Sequence, residues 1–192
     1  MTLKASTGAP FARLYSVGSA TPSRVIDNEY LCQFIDSSDE WITQRTGISE
    51  RRWVGEGENI ETLSITAATS ALDRSGIARD QIDAVIVATI SHYYQTPALA
   101  PKLAGLLGLG DVAAYDISAA CAGFSYAIAQ AEALVRGGQA HYVLVVAGET
   151  ISDITDLTDR GTAFLFGDGA GAAVVGPSDT NGIGPVVWGS DG

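Results

Sequence analysis

Three stretches of this chain predict an α/β fold with a mainly parallel or mixed sheet. Ala84-Val85-Ile86-Val87-Ala88-Thr89-Ile90 and Tyr142 to Ala147 are continuous apolar runs, the pattern of strands buried on both faces. Val112 to Ser118 is a third strand-like run. It leads through Cys121 into a segment with Phe124, Ile128, Ala131, Leu134 and Val135 at helical spacing. Strands alternating with helices imply right-handed crossovers and helices on both faces of the sheet.

In chain order, residues 1–10 read as a loose leader and residues 11–176 as the folded body. Phe11 to Ser19 alternates as a strand, turned by Thr21-Pro22. Asp27 or Asn28 caps a short helix with Tyr30, Leu31, Phe34 and Ile35 on one side, where Cys32 reads as a packing residue. Ser37 and Glu40 have capping-box spacing for a second helix, which Gly47 stops. Ile48 to Val54 reads as a strand at a sheet edge. Asn59 caps a helix from Glu61 to about Ser75, with Leu63, Ala67, Ala68, Ala71 and Leu72 inward and Gly76 at its end. A loop from Ser91 to Pro97 precedes a small-residue helix, Ala98 to Leu107. The helix after Cys121 runs from Phe124 to Val135 and closes at Gly137-Gly138, and a last strand covers Ala172 to Val175.

Composition narrows the function. A chain of 192 residues can bury a core as one large domain or two small ones. Its net charge of −11 argues against a nucleic-acid partner. No apolar run is long enough to cross a bilayer, and the start carries no signal-peptide pattern. Two cysteines, Cys32 and Cys121, form neither a disulfide framework nor a zinc set, so a cytoplasmic protein without a metal site is expected. The acidity has a local exception in Arg45, Arg51 and Arg52.

Cys121 is the first candidate for chemistry. It stands at a strand-to-helix turn, where unpaired N–H groups and the helix dipole favour an anion. There a thiol's pKa can fall from about 8.5 toward neutrality, and the same N–H groups can stabilise an oxyanion. No charged residue lies between Asp116 and Glu132, so this strand and helix are expected to be deeply buried. Position alone leaves a structural buried cysteine equally open. Trp41 and Arg45 share a helix face, which suits either an arginine resting on an indole or a platform for a nucleotide base and phosphate. His92 follows a strand on the edge that Cys121 occupies, so a Cys–His pair is conceivable, while His141 precedes its strand at the opposite edge. Phe166-Gly167-Asp168-Gly169-Ala170-Gly171-Ala172 imitates a dinucleotide fingerprint but runs into a strand, not a helix. Its glycines are better read as close-packing positions beneath the helix that follows Cys121.

Five segments together resemble β-ketoacyl-acyl-carrier-protein synthase III, a condensing enzyme with the thiolase-like fold. They are Ser38 to Ile42, Arg45 to Ile48, Ala119 to Phe124, Thr158 to Thr162 and Phe166 to Ala172, in the family's order and spacing. The resemblance implies the first half of a thiolase-like fold, with Cys121 as the acylated nucleophile. It implies that Ser37, Trp41, Arg45 and Arg160 hold coenzyme A, and that Ile151, Phe166 and Thr96 line the acyl pocket, Thr96 reaching the partner's site. It further implies a homodimer, acyl-coenzyme A and malonyl-acyl carrier protein as substrates, and no permanently bound cofactor. Arg51 and Arg52 are candidate carrier-protein contacts, or ordinary solvated arginines. The family's His and Asn lie in a second half, to which residues 177–192 would begin the connection. Thr96, where many relatives carry a bulky aromatic, implies a primer longer than acetyl or branched. An acyltransferase acting on an alcohol or amine, and a non-catalytic dimerisation or carrier-binding module, are the alternative readings.

Overall fold

One sheet divides the apolar residues between its two faces. The computed structural model describes residues 7–191. Its main sheet runs in the order β1 (Phe11–Ala20), β7 (Gly169–Ser178), β6 (Tyr142–Glu149), β4 (Ile82–Ala88) and β5 (Ala113–Ile117). Val85, Val87, Leu144 and Val146 pack against α3 (Ile60–Ser75) and α4 (Leu99–Leu107) on one face. Ile86, Val143 and Val145 point the other way, onto Ala127, Ala131 and Val135 of α5 (Gly123–Arg136). This is why β4 and β6 read as unbroken apolar runs. Each such buried side chain contributes about 1.5–3 kcal/mol.

The sheet is mixed. β4 runs parallel to β5 and β6, whereas β7 runs antiparallel to β6 and β1. Apolar alternation reports burial and says nothing about strand direction, so the antiparallel half is not legible from it. Two glycines let α3 settle on the sheet. A Cβ on Gly18 would stand 2.2 Å from the Ala67 carbonyl oxygen, and one on Gly148 would stand 2.3 Å from Ser64 Oγ. Gly169 and Gly171 meet no such obstacle; within the glycine run the close packing falls at Gly167, where a Cβ would lie 3.2 Å from the Arg52 carbonyl oxygen, and not beneath α5.

The burial expected around Cys121 needs correction. β5 is the edge strand, with Ala113 exposed and Ala114 to Ile117 half-buried, and Phe124 is exposed as well. A lack of charge marks an apolar surface but does not say what covers it. Thr7 to Pro10 lie beside α5, where Ala9 N–H donates to the Val135 carbonyl at 3.3 Å; residues 1–6 of the expected leader fall outside the described residues.

A second, smaller layer holds β2 (Arg24–Asp27), α1 (Asn28–Leu31), α2 (Asp39–Thr46) and β3 (Glu50–Trp53). β3 is shorter than expected and pairs antiparallel with β2 alone, in a sheet of its own. Ser38, not Ser37, caps α2: its backbone is extended and its hydroxyl accepts from Trp41 N–H at 3.1 Å. That shift leaves Glu40 one position short of a capping box. At α1, Asp27 is the cap, accepting from Tyr30 N–H at 2.7 Å.

α4 has no side-chain cap of its own. Asp116 of β5 supplies one across space, accepting from Leu99 N–H and Ala100 N–H at 2.7 Å each. Asp116→Ala should therefore lower the unfolding free energy by about 1–2 kcal/mol, the scale of a lost helix cap. Urea unfolding checks this, and an unchanged midpoint would show that α4 does not depend on the carboxylate.

Candidate active site

Cys121 reaches its place through a short, strained turn. Ala120–Ala122 forms one 3-10 turn that runs directly into α5. Ala120 is held at φ 46°, a left-handed conformation that costs a residue with a Cβ about 1–2 kcal/mol. The next fixed point is Gly123. A Cβ there would lie 3.0 Å from the Ala88 Cβ, so α5 rests on the last residue of β4. The turn thus lifts Cys121 above the C-terminal ends of β4 and β5, where it is exposed. Among the described residues Cys121 is therefore not a core cysteine.

Cys121 opens into a cavity of about 690 Å³. Ala120 and Cys121 form one side, and Ile90, Ile151, Ile154 and Phe166 supply apolar walls. Asp168 fixes part of this wall. Its carboxylate accepts from Ser152 N–H at 2.9 Å, Ser152 Oγ at 2.6 Å and Val54 N–H at 2.8 Å. Asp168 N–H in turn donates to the Arg52 carbonyl at 2.8 Å. The turn Ile151–Asp153 is so tied to β3 and its following residue. Ile151 and Phe166 share the Cys121 cavity as expected of neighbours, whereas Thr96 is exposed and outside it.

A second cluster forms around Trp41. The Arg45 guanidinium carbon lies 4.1 Å from the indole centroid and that of Arg160 lies 5.6 Å away. Phe164 meets the same ring edge-on at 5.7 Å. Neither arginine has an ion-pair partner among the described residues. Asp159, next to Arg160 in sequence, is engaged by its own loop: donors from Thr162 and Gly161 hold its carboxyl below the usual range. Two cations are therefore left facing one flat aromatic, a combination suited to a base and a phosphate. Ser37 is half-buried just before the cap, and its buried hydroxyl has no partner among the described residues.

One segment joins the two clusters. Arg160 and Phe164 touch Trp41, while Thr162 and Phe166 line the Cys121 cavity. A buried network fixes that segment. Arg51 donates through Nη1 to the Ile26 carbonyl at 3.1 Å, and through Nη2 to Asn28 Oδ1 at 2.6 Å and the Phe164 carbonyl at 3.2 Å. Arg51 is thus no surface contact for a carrier protein. Alternation along β3 turns it inward, at 6% exposure, and leaves Arg52 half-buried. Burial lowers the Arg51 pKa, and nearby Asp27 acts against that shift.

The remaining candidates separate. His92 lines other cavities and packs edge-on against Tyr94, with centroids 5.8 Å apart, so the structure forms no Cys121–His92 pair. His141 N–H donates to Asp83 Oδ2 at 2.5 Å, a structural contact at the opposite edge. The glycine run continues into β7 and opens no helix, as its sequence context predicts. Among the described residues no group of side chains could hold a metal ion, and no helix is long and apolar enough to cross a membrane. Sequence reasoning missed Asn28, Asp168 and Glu149 as organising residues. The available signal was a carboxylate at the edge of an apolar run, in Glu149 closing β6 and in Asp168 before β7.

A helix that starts beside an exposed cysteine and enters over the C-terminal ends of parallel strands, within this mixed sheet, defines a thiolase-like fold. Comparison with known proteins places it further: residues 115–192 match the family described as 3-oxoacyl-[acyl-carrier-protein (ACP)] synthase III. The chain is 53% identical over 190 residues to β-ketoacyl-[acyl-carrier-protein] synthase III 1 of Streptomyces coelicolor, covering 99% of this chain and 55% of that protein. The Mycobacteroides abscessus β-ketoacyl-[acyl-carrier-protein] synthase III is 51% identical, with 97% and 55% covered. Among solved structures, a priming β-ketosynthase from a polyketide biosynthetic pathway superposes with a TM-score of 0.94 at 45% identity, covering 100% of this chain and 57% of that one. The synthase III of Aquifex aeolicus gives 0.85 at 40% identity, with 88% and 55% covered. In sequence and fold the chain is similar to the N-terminal portion of β-ketoacyl-acyl-carrier-protein synthase III, and it spans about 55% of the length of the curated relatives named here.

The two cysteines give an internal control. Cys32 is half-buried, and burial, with Asp39 and Glu29 nearby, raises its pKa. Cys121 is exposed at a helix start. Iodoacetamide near neutral pH is expected to alkylate Cys121 about tenfold faster than Cys32 in the folded chain. Peptide mapping of the adducts reads the ratio, and equal rates would remove Cys121 as the nucleophile.

Proposed function

We propose that this chain carries the acyl-transfer half of a β-ketoacyl-acyl-carrier-protein synthase III-type enzyme, acting in fatty-acid or polyketide initiation in the cytoplasm. One observation carries the reading: an exposed cysteine at a helix start shares an apolar cavity with Phe166, six residues after Arg160 joins the Trp41 cluster. In this reading acyl-coenzyme A lies with its adenine end over Trp41, Arg45 and Arg160, beside Ser37, and with its acyl chain between Ile151 and Phe166. The Cys121 thiolate attacks the thioester carbonyl carbon. The carbonyl oxygen takes negative charge near the N–H groups of the turn, the bond to the coenzyme sulfur breaks, and coenzyme A leaves and takes up a proton.

Condensation follows in the same proposal. Malonyl-acyl carrier protein loses carbon dioxide, its carbanion attacks the acyl-cysteine, a carbon–carbon bond forms and the Cys121 thiolate is released. The resemblance assigns the supporting His and Asn to a second half, joined through residues 177–192 to the body at 11–176. Neither His92 nor His141 lines the Cys121 cavity, which agrees with that assignment. A homodimer belongs to the reading too. The apolar edge strand β5 is half-buried along most of its length, and Tyr93 and Tyr94, three and two residues before Thr96, are each 67% exposed.

Two measurements test this. Trp41→Ala should weaken binding of an acyl-coenzyme A by about tenfold or more, since stacking on an indole contributes roughly 1–3 kcal/mol. Calorimetry that finds the same constant would reduce the Trp41 helix to scaffold. Intact-mass measurement after incubation with acetyl- or longer acyl-coenzyme A should show one acyl group on Cys121, with the longer chains preferred. Each added buried methylene contributes about 0.8 kcal/mol to that preference. Thr96→Phe should shift it toward acetyl; a wild type that prefers acetyl, unmoved by the substitution, would sink the assignment of Thr96.

A further inference from the structure

Glu149 is the last residue of β6 and stands in the wall of the Cys121 cavity. Its carboxylate faces a segment of chain that has just left the sheet. The parallel ladder between β4 and β6 ends at Ala88 and Ala147. Beyond it the carboxylate takes over as acceptor. Oε1 accepts from Ile90 N–H at 2.9 Å, and Oε2 accepts from Ser91 N–H at 3.1 Å, Thr89 Oγ1 at 3.2 Å and the Ser91 hydroxyl in a short contact. The Ser91 hydroxyl also accepts from Thr150 N–H at 2.9 Å, which closes the clamp on the residue that follows β6.

Both oxygens are thus committed to three consecutive residues. A carboxylate with four donors is poorly placed to act as a base, but well placed to hold a backbone still. What it holds matters to the cavity. Ile90, whose amide is gripped between two clamped neighbours, lines the same cavity as Ala120 and Cys121, at 46% exposure. Thr89 and Ser91 on either side are buried, so Ile90 is the one member of the three that projects.

We propose that Glu149 is a positioning residue: by fixing Ile90 it sets the length of chain that can reach Sγ of Cys121. The proposal deepens the acyl-transfer reading given above, though the wall it describes exists whatever group the cysteine attacks. Gln in place of Glu149 keeps the size but turns an amide N–H₂ toward donors. Ser91→Ala removes one donor and leaves the carboxylate. Ile90→Ala removes the wall and leaves the clamp.

The test uses two kinds of probe on the purified chain, read by intact mass at Cys121. One pair is acetyl- and octanoyl-coenzyme A; the other is iodoacetamide and N-octyl iodoacetamide, which need no acyl-transfer chemistry. Amide hydrogen exchange at Ile90 and Ser91 is followed alongside. Glu149→Gln should speed that exchange by about tenfold or more. It should also move the long-to-short rate ratio about tenfold in favour of the long probe, the lower end of what one methylene produces in an apolar pocket. Ser91→Ala should move both quantities in the same direction by less, and Ile90→Ala should move the ratio alone. If octyl alkylation responds while neither thioester reacts, the wall assignment stands and the acyl-transfer reading falls. If exchange quickens with both ratios unchanged, Glu149 is only a structural cap and the proposal is overturned. Should Glu149→Gln fail to fold, an Ser91→Ala chain with unchanged exchange and ratio overturns it equally.

Discussion

A buried cation that forms no salt bridge among the described residues holds the smaller layer of this protein in register. Arg51 satisfies its guanidinium with the carbonyls of Ile26 and Phe164 and the side-chain oxygen of Asn28. Asn28 passes the constraint on, donating to Asp39 Oδ1 at 2.7 Å and to the Ile48 carbonyl at 2.8 Å. The two ends of α2 are therefore tied to the same arginine that fixes Phe164. Trp41 lies between them, on α2 and against Phe164. A desolvated charge is costly unless its donors are filled, and removing one acceptor leaves the rest exposed to that cost. Arg51 Nε remains without a partner among the described residues, so the network has little slack.

Asp168 does for the cavity what Arg51 does for the Trp41 cluster. It bridges β3 and the turn after β6, elements far apart in sequence, through one buried carboxylate at 8% exposure. Two layers that share no sheet are thus joined by polar contacts placed at the rim of an apolar seam. The apolar cluster of Ile26, Leu31, Ile42, Trp53 and Phe164 supplies the area, and the polar contacts supply the register.

Much of the framework was legible because it depends on local rules. Asn59 and Gly76 bound α3 with a side-chain cap and a left-handed glycine at φ 70°, both readable from residue type. β4 and β6 announce themselves because burial on two faces abolishes alternation. Strand direction was not readable, since β7 has the same apolar content in either orientation. Nor was the cap of α4, because Asp116 reaches it from a strand that follows the helix in sequence. At the site, residue type and motif order singled out Cys121, Trp41 and Arg45 as candidates, and the structure places Cys121 at a cavity and Arg45 over the Trp41 ring. The inward turn of Arg51 escaped, because alternation on a strand of four residues is too short to assign a face. The exposure of Cys121 escaped for a different reason: an uncharged stretch signals a surface to be covered, and the covering partner leaves no trace in the residues themselves.

The height of the Cys121 sulfur above the sheet is set by the close approach of Gly123 to a single methyl group, the Ala88 Cβ at the end of β4. That contact works as a gauge block. A larger residue at position 88 would not merely crowd the core, because α5 has no Cβ at Gly123 to trim in return. It would push the first turn of the helix outward and carry Cys121 away from Ile151 and Phe166, whose own positions are referenced to β3 through Asp168 and Arg51. Two independent rulers thus meet across one cavity, and the gap between them is narrowest to adjust where the chain offers least to change: one alanine facing one glycine.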